Sequence, residues 1–108
     1  MTLMHKAGLA VALAAGVALL PGSALAEGDA EAGAGKIAVC VACHGKDGQA
    51  TAPTYPNLAG QSATYLEGAL KAYRAEQRKG GSSAIMTPQA ATLSDEDIAD
   101  IAAYYSEQ

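Results

Sequence analysis

Cys40-Val41-Ala42-Cys43-His44 sets two thiols with two residues between them and an imidazole directly after the second. That spacing is the attachment signature of a c-type haem. Each thiol can add across one vinyl group of the macrocycle, and the histidine beside the second anchor is then placed to ligate iron from one face. Three other chemistries compete. A disulfide would close a very small loop and contribute little. A thioredoxin-like redox pair belongs to a strand–helix context, and the chain shows no strand-like alternation of useful length. A structural zinc needs four ligands, and residues 27–108 hold no further Cys or His. The adjacent histidine is required by haem attachment and by none of the others.

A haem iron bound by His44 needs a partner on its opposite face. Met86 is the sole methionine of residues 27–108, and it sits in a stretch bearing Gly, Ser and Pro. Methionine is ordinarily core filler. Opposite a histidine, its thioether gives a six-coordinate iron with a potential higher than bis-histidine ligation gives. An iron without Met86 would leave the distal side open to small ligands. The second ring nitrogen of His44 needs an acceptor to fix its tautomer. Carbonyls in the proline-bearing stretch that follows are candidates, with Pro56 preferred to Pro53; Pro56 can equally be read as a turn former. Tyr65 and Tyr73 share one side of a helical pattern and could flank the haem. Arg74 and Arg78 could pair with its propionates, or form a solvated cationic face.

These residues must be positioned by helices. Glu27 to Val39 reads as a helix with Asp29 near its start, delivering the chain to Cys40. Glycines 45 and 48 end helical periodicity, and Ala50 to Asn57 reads as an ordered loop around Pro53 and Pro56. Ser62 is a candidate N-cap for a helix in which Tyr65, Leu66, Ala69, Leu70 and Tyr73 recur at helical spacing. Gly80 to Ser83 stops it. Ala84 to Ala91 reads as a loop carrying Ile85, Met86 and Pro88. Ser94-Asp95-Glu96-Asp97 resembles a capping box, and Ile98, Ile101, Ala102 and Tyr105 follow on one stripe to about Ser106. The class is all-α, in one domain.

The first 26 residues read differently. His5-Lys6 precede an Ala, Gly, Val and Leu run over 7–20, broken by Pro21-Gly22-Ser23 and followed by Ala24-Leu25-Ala26. That is the layout of a secretory signal peptide cleaved after Ala26, and the run falls short of the roughly 20 residues a spanning helix needs. Removing 26 of 108 residues leaves 82, with six Lys and Arg against eleven Asp and Glu, a charge of about −5. An acidic surface argues against nucleic acid and anionic lipid, and favours steering toward a basic patch on a partner. With no Trp or Phe, so small a chain is short of large core side chains; a covalently bound macrocycle would supply the missing interior.

Cys40 to His44, Pro56-Asn57-Leu58 with Gly60-Gln61, the lone Met86, Leu93 to Ile98 and Ala102-Ala103-Tyr104-Tyr105 together resemble a class I c-type cytochrome over essentially all of 27–108. The likeness is to the small bacterial periplasmic monohaem type and to single domains of dihaem relatives. It implies the cytochrome c fold, with three main helices and ordered loops around one haem c, held through Cys40 and Cys43 and ligated by His44 and Met86. It implies that Gly33 meets Tyr104 with Ile101 in the same contact, that Pro56 accepts from the His44 ring and that Leu58 packs on the haem. The aromatic often found in the first helix of that family is replaced here by Lys36 and Ile37. The implied activity is single-electron transfer in the periplasm, not enzymatic catalysis. The donor would be a quinol-oxidising complex or dehydrogenase and the acceptor a terminal oxidase or reductase. A permanent haem subunit of a larger complex, or a ligand-binding haem protein, are the alternatives.

Overall fold

The computed structural model describes residues 28–108, so the leader expected over 1–26 lies outside the described residues. Five helices follow in order: α1 (Ala30–Ala34), α2 (Val41–His44), α3 (Ala63–Arg74), α4 (Ser83–Ala91) and α5 (Asp95–Ser106), with no strand among the described residues. The helical shell packs α1 on α5, α3 on α5 and α3 on α4. Its core gathers Ile37, Leu66, Ile101, Ala102, Tyr104 and Tyr105, with Leu58 and Leu70 packed against it.

The caps follow local chemistry. Asp29 accepts from the N–H groups of Glu31 and Ala32 at the start of α1. Ser62 accepts from the Tyr65 N–H at the start of α3. Ser94 and Asp97 form a reciprocal capping box on α5. At the end of α3, Glu76 takes a left-handed backbone with φ 58°. The Glu76 and Gln77 N–H groups then reach back to the carbonyls of Tyr73 and Ala72 at 3.0 and 2.8 Å, the pattern of a Schellman motif.

Two elements depart from the expectation. The first helix stops at Ala34 instead of running to Val39. Glycine disfavours helix by about 1 kcal/mol relative to alanine, and Gly33 and Gly35 fall within three residues. The chain then advances to Cys40 through turns closed by Lys36 N–H to Gly33 O and Cys40 N–H to Ile37 O, each 2.8 Å. Conversely, Ser83–Ala91 is a helix, not a loop, with Pro88 inside it. A proline there removes one backbone donor and crowds the preceding turn. The helix persists because Ala90 is fully buried and α4 packs on α3; tertiary burial outweighs the local penalty.

The contact between α1 and α5 is close. A Cβ at Gly33 would run into the Asp100 carbonyl and approach Tyr104 Cβ to 2.9 Å, so only glycine lets the backbones meet. Where an aromatic was missing, an ionic clamp stands. Buried Asp100 accepts the Asp29 N–H at 2.8 Å and pairs with Lys36 Nζ at 2.7 Å, while Lys36 also reaches Asp97 at 3.0 Å.

Candidate functional site

α2 is one turn long and consists of the residues after the first thiol, so it needs outside support. Gly45 ends it with φ 72°; a side chain there would strike the Gln49 carbonyl. Thr51 donates its hydroxyl to Ala42 O at 2.8 Å and its N–H to Cys43 O at 3.0 Å, satisfying carbonyls the short helix leaves free. From the far side, Tyr104 Oη donates to Lys46 O and Tyr105 Oη to Gly45 O at 2.5 and 2.9 Å. α5 thereby holds the turn that follows the motif. The rest of the loop is tied through Gly48, whose carbonyl accepts from Leu58 and Ala59 at 2.8 and 3.1 Å.

His44 is buried, and its Nδ1 lies 2.9 Å from the Pro56 carbonyl. With that acceptor, Nδ1 carries the proton and Nε2 keeps its lone pair. No other hydrogen bond engages the ring among the described residues. Both cysteines are free thiols, half-buried. Burial pushes the Cys40 thiol up from its ordinary range, and the neighbouring Cys43 raises Tyr55.

These groups open onto two adjoining cavities. The outer one is about 550 Å³ and the inner about 210 Å³. Cys40, His44, Pro56, Tyr73, Arg78 and Met86 line both. Met86 is half-buried on α4; its position on a helix rather than in a loop still brings the thioether to the walls that His44 lines. Leu58 and Tyr65 line the inner cavity, Tyr65 at 53% exposure. The inner wall is completed by Leu66, Leu70, Ile101 and Tyr105.

The residues fit a haem. Two thiols, one imidazole with a free nitrogen and one thioether line a largely apolar pair of cavities within the usual ligand-site range of roughly 300–1,000 Å³. Among the described residues no group of three or more His, Cys, Asp and Glu side chains gathers to hold a bare metal ion. The two arginines separate. Arg74 donates to Leu93 O at 3.0 Å and pairs with Asp95 at 2.6 Å, lining neither cavity. Arg78 lies 4.6 Å from the centroid of the Tyr73 ring and lines both.

Sequence reasoning missed the roles of Tyr104 and Tyr105 hydroxyls, Thr51 and the Asp100–Lys36 pair. The tyrosines read as packing because a stripe identifies a buried face, not the carbonyl a hydroxyl reaches. Thr51 carries no such pattern at all.

A family model described as cytochrome c matches residues 30–107. Cytochrome c-554(548) of Halomonas halodenitrificans is 73% identical over 81 residues, covering 75% of this chain and 98% of that protein. Cytochrome c4 of Stutzerimonas stutzeri is 44% identical over 111 residues, covering 97% of this chain. The chain spans about half the length of that relative, 51%. The crystal structure of reduced recombinant cytochrome c4 from Pseudomonas stutzeri superposes with a TM-score of 0.65 at 48% identity, over 75% of this chain and 46% of that one.

Proposed function

The chain belongs to the cytochrome c family, whose members carry covalent haem c and transfer electrons, and from that premise we propose how its own residues divide the work. Cys40 and Cys43 are the thioether anchors. His44 and Met86 would hold the iron, since both line the two cavities. Pro56 is the acceptor that orients His44, and Leu58 and Tyr65 pack against the inner part of the macrocycle. When bound, haem supplies a single iron that takes and releases one electron. The observation that carries this reading is that His44, held at Nδ1 by Pro56, lines the same two cavities as Met86 and Cys40.

What the chain does follows from holding still. Pro56 keeps the His44 proton on Nδ1, and so keeps Nε2 available. Tyr105 and Tyr104 pin the backbone after His44 to α5, which restrains the segment that carries the imidazole. Leu66, Leu70 and Ile101 give the inner cavity apolar walls, and the soft Met86 thioether would favour the ferrous state of a haem held there. No bond in a substrate is made or broken, so the protein is a carrier and not an enzyme. We place it in the periplasm, on the strength of the leader-like pattern over 1–26. There it would exchange electrons transiently with a quinol-oxidising complex or dehydrogenase on one side and an oxidase or reductase on the other.

The test is the visible spectrum of the exported protein, oxidised and reduced, with and without carbon monoxide. Sharp low-spin bands of reduced haem c, a weak ferric sulfur–iron charge-transfer band and indifference to carbon monoxide are expected. A high-spin spectrum that shifts with carbon monoxide would remove Met86 from the iron and turn the reading toward ligand binding.

A further inference from the structure

The loop over 50–57 carries Pro53 and Pro56, which have no N–H to donate. Among the described residues one backbone hydrogen bond closes inside it, from Tyr55 N–H to Ala52 O at 3.1 Å. The Pro56 carbonyl therefore depends for its place on how the two ends of the loop are joined. Leu58 and Ala59 donate to Gly48 O at 2.8 and 3.1 Å. Gly48 is buried with φ 74°, and a Cβ there would stand 2.6 Å from Ala59 N, so the two stretches lie directly against each other. The Asn57 side chain closes the mouth of the loop: its Oδ1 accepts the Ala50 N–H at 2.7 Å. The next residue, Thr51, donates its N–H to Cys43 O and its hydroxyl to Ala42 O, at 3.0 and 2.8 Å. Bonds and chain thus make a closed circuit. It runs from the His44 ring through Pro56 and Asn57 to Ala50, then through Thr51 to Cys43 and back to His44.

We infer that Asn57 is a positioning residue, which sets the Pro56 carbonyl against the His44 ring and so governs how strongly the imidazole donates to iron. The inference rests on the reading of His44 as an iron ligand. Asparagine at a loop mouth is commonly a turn former. What exceeds that role is the circuit: the Asn57–Ala50 and Thr51–Cys43 bonds join the same two segments that the His44–Pro56 bond spans, so loosening the first lets the acceptor move off its donor. Asn57 itself is exposed, and removing its side chain uncovers no core. An acceptor on Nδ1–H raises the basicity of a ligating imidazole, and a more basic ligand favours ferric iron. A slackened acceptor therefore raises the potential.

The test compares the ferrous holoprotein with three single substitutions. Proton magnetic resonance in deuterated water follows exchange of the His44 Nδ1 proton, and a redox titration gives the midpoint potential. Asn57→Ala speeds the exchange roughly two- to tenfold, the effect of one lost hydrogen bond on a local opening, and raises the potential. Asn57→Asp keeps an acceptor for the Ala50 N–H and restores the exchange rate; its added negative charge acts on the potential in the opposite direction, so it does not mimic Asn57→Ala. Ser94→Ala removes the bond to the Asp97 N–H at the start of α5, away from the loop, and leaves both readings unchanged. The inference is overturned if Asn57→Ala exchanges at the unaltered rate, if its potential stays or falls, if Asn57→Asp does not restore the exchange, or if Ser94→Ala acts as Asn57→Ala does. A Nδ1 proton lost as soon as the unaltered protein is dissolved overturns it as well. The same spectra check the ligand reading, because the macrocycle moves the ring protons of an iron-bound His44 far upfield. Ring protons at ordinary positions overturn that reading and the inference with it, whereas upfield ring protons with any of the failures above overturn the inference alone.

Discussion

His44 shows how little freedom the proposed ligand is given. Its ring nitrogen is fixed by Pro56 at 2.9 Å, and its backbone is followed at once by a glycine turn that Tyr105 grips. Met86 has no such hydrogen-bonded support; its position depends on α4. Met86→Ala is therefore expected to leave the helical content intact and open one face of the iron. The reduced protein should then bind carbon monoxide and show a high-spin spectrum before it does so. A second residue-scale effect lies away from the site. Glu76 adopts φ 58°, which costs a side-chain-bearing residue about 1–2 kcal/mol. Glycine relieves that strain but gives back about 0.5–1 kcal/mol in chain entropy. Glu76→Gly should stabilise the protein by about 0.5–1 kcal/mol, read as a higher denaturant midpoint. Here the sequence was legible only in part: His44 stands out by its neighbours, whereas nothing in Glu76 itself signals a left-handed cap.

At the scale of elements, the α1–α5 contact shows what a pattern does and does not carry. The stripe Ile98, Ile101, Ala102, Tyr105 names the buried face of α5. It does not reveal that Asp100, between two of those positions, is also buried at 4% exposure and joins α5 to α1. Its carboxyl is held below the usual range, chiefly by the Asp29 N–H and then by the Lys36 ammonium. The folded state thus favours the anion. That contribution is complete above the unfolded carboxyl value near ~3.9 and is lost as pH falls through the lower folded value. Asp100→Asn should lower the urea midpoint at pH 7, and its gap from the unaltered protein should close as pH drops below about 4. A gap that stays constant down to pH 3 would show that the charge is not what holds α1. The two misread elements have opposite causes. Local propensity ended α1 earlier than its alanines suggested, and packing kept α4 helical despite Pro88.

For the molecule as a whole, the cavity a haem would fill is walled by core residues, among them Leu66, Ile101, Ala102 and Tyr105. The inner cavity alone is about 210 Å³. Without haem, the apolar walls formed by Leu66, Leu70 and Ile101 would face water, a serious loss for a small domain whose entire stability is about 5–15 kcal/mol. The chain replacing both Cys40 and Cys43 by Ala, purified without haem, is expected to lack native helicity in far-ultraviolet circular dichroism and to show no cooperative thermal transition. A cooperative, fully helical apo chain would mean that the protein's own side chains suffice to fill its interior.

The attachment motif, the lone histidine and methionine of residues 27–108 and the apolar stripes of α3 and α5 were determined by the sequence, because each is a matter of residue type and spacing along one chain. The tyrosine hydroxyls that reach Gly45 and Lys46, the burial of Asp100 and the division of labour between Arg74 and Arg78 were decided only by the tertiary structure. Each joins groups far apart along the chain or depends on what surrounds a side chain, and neither that proximity nor that burial exists until the chain is folded.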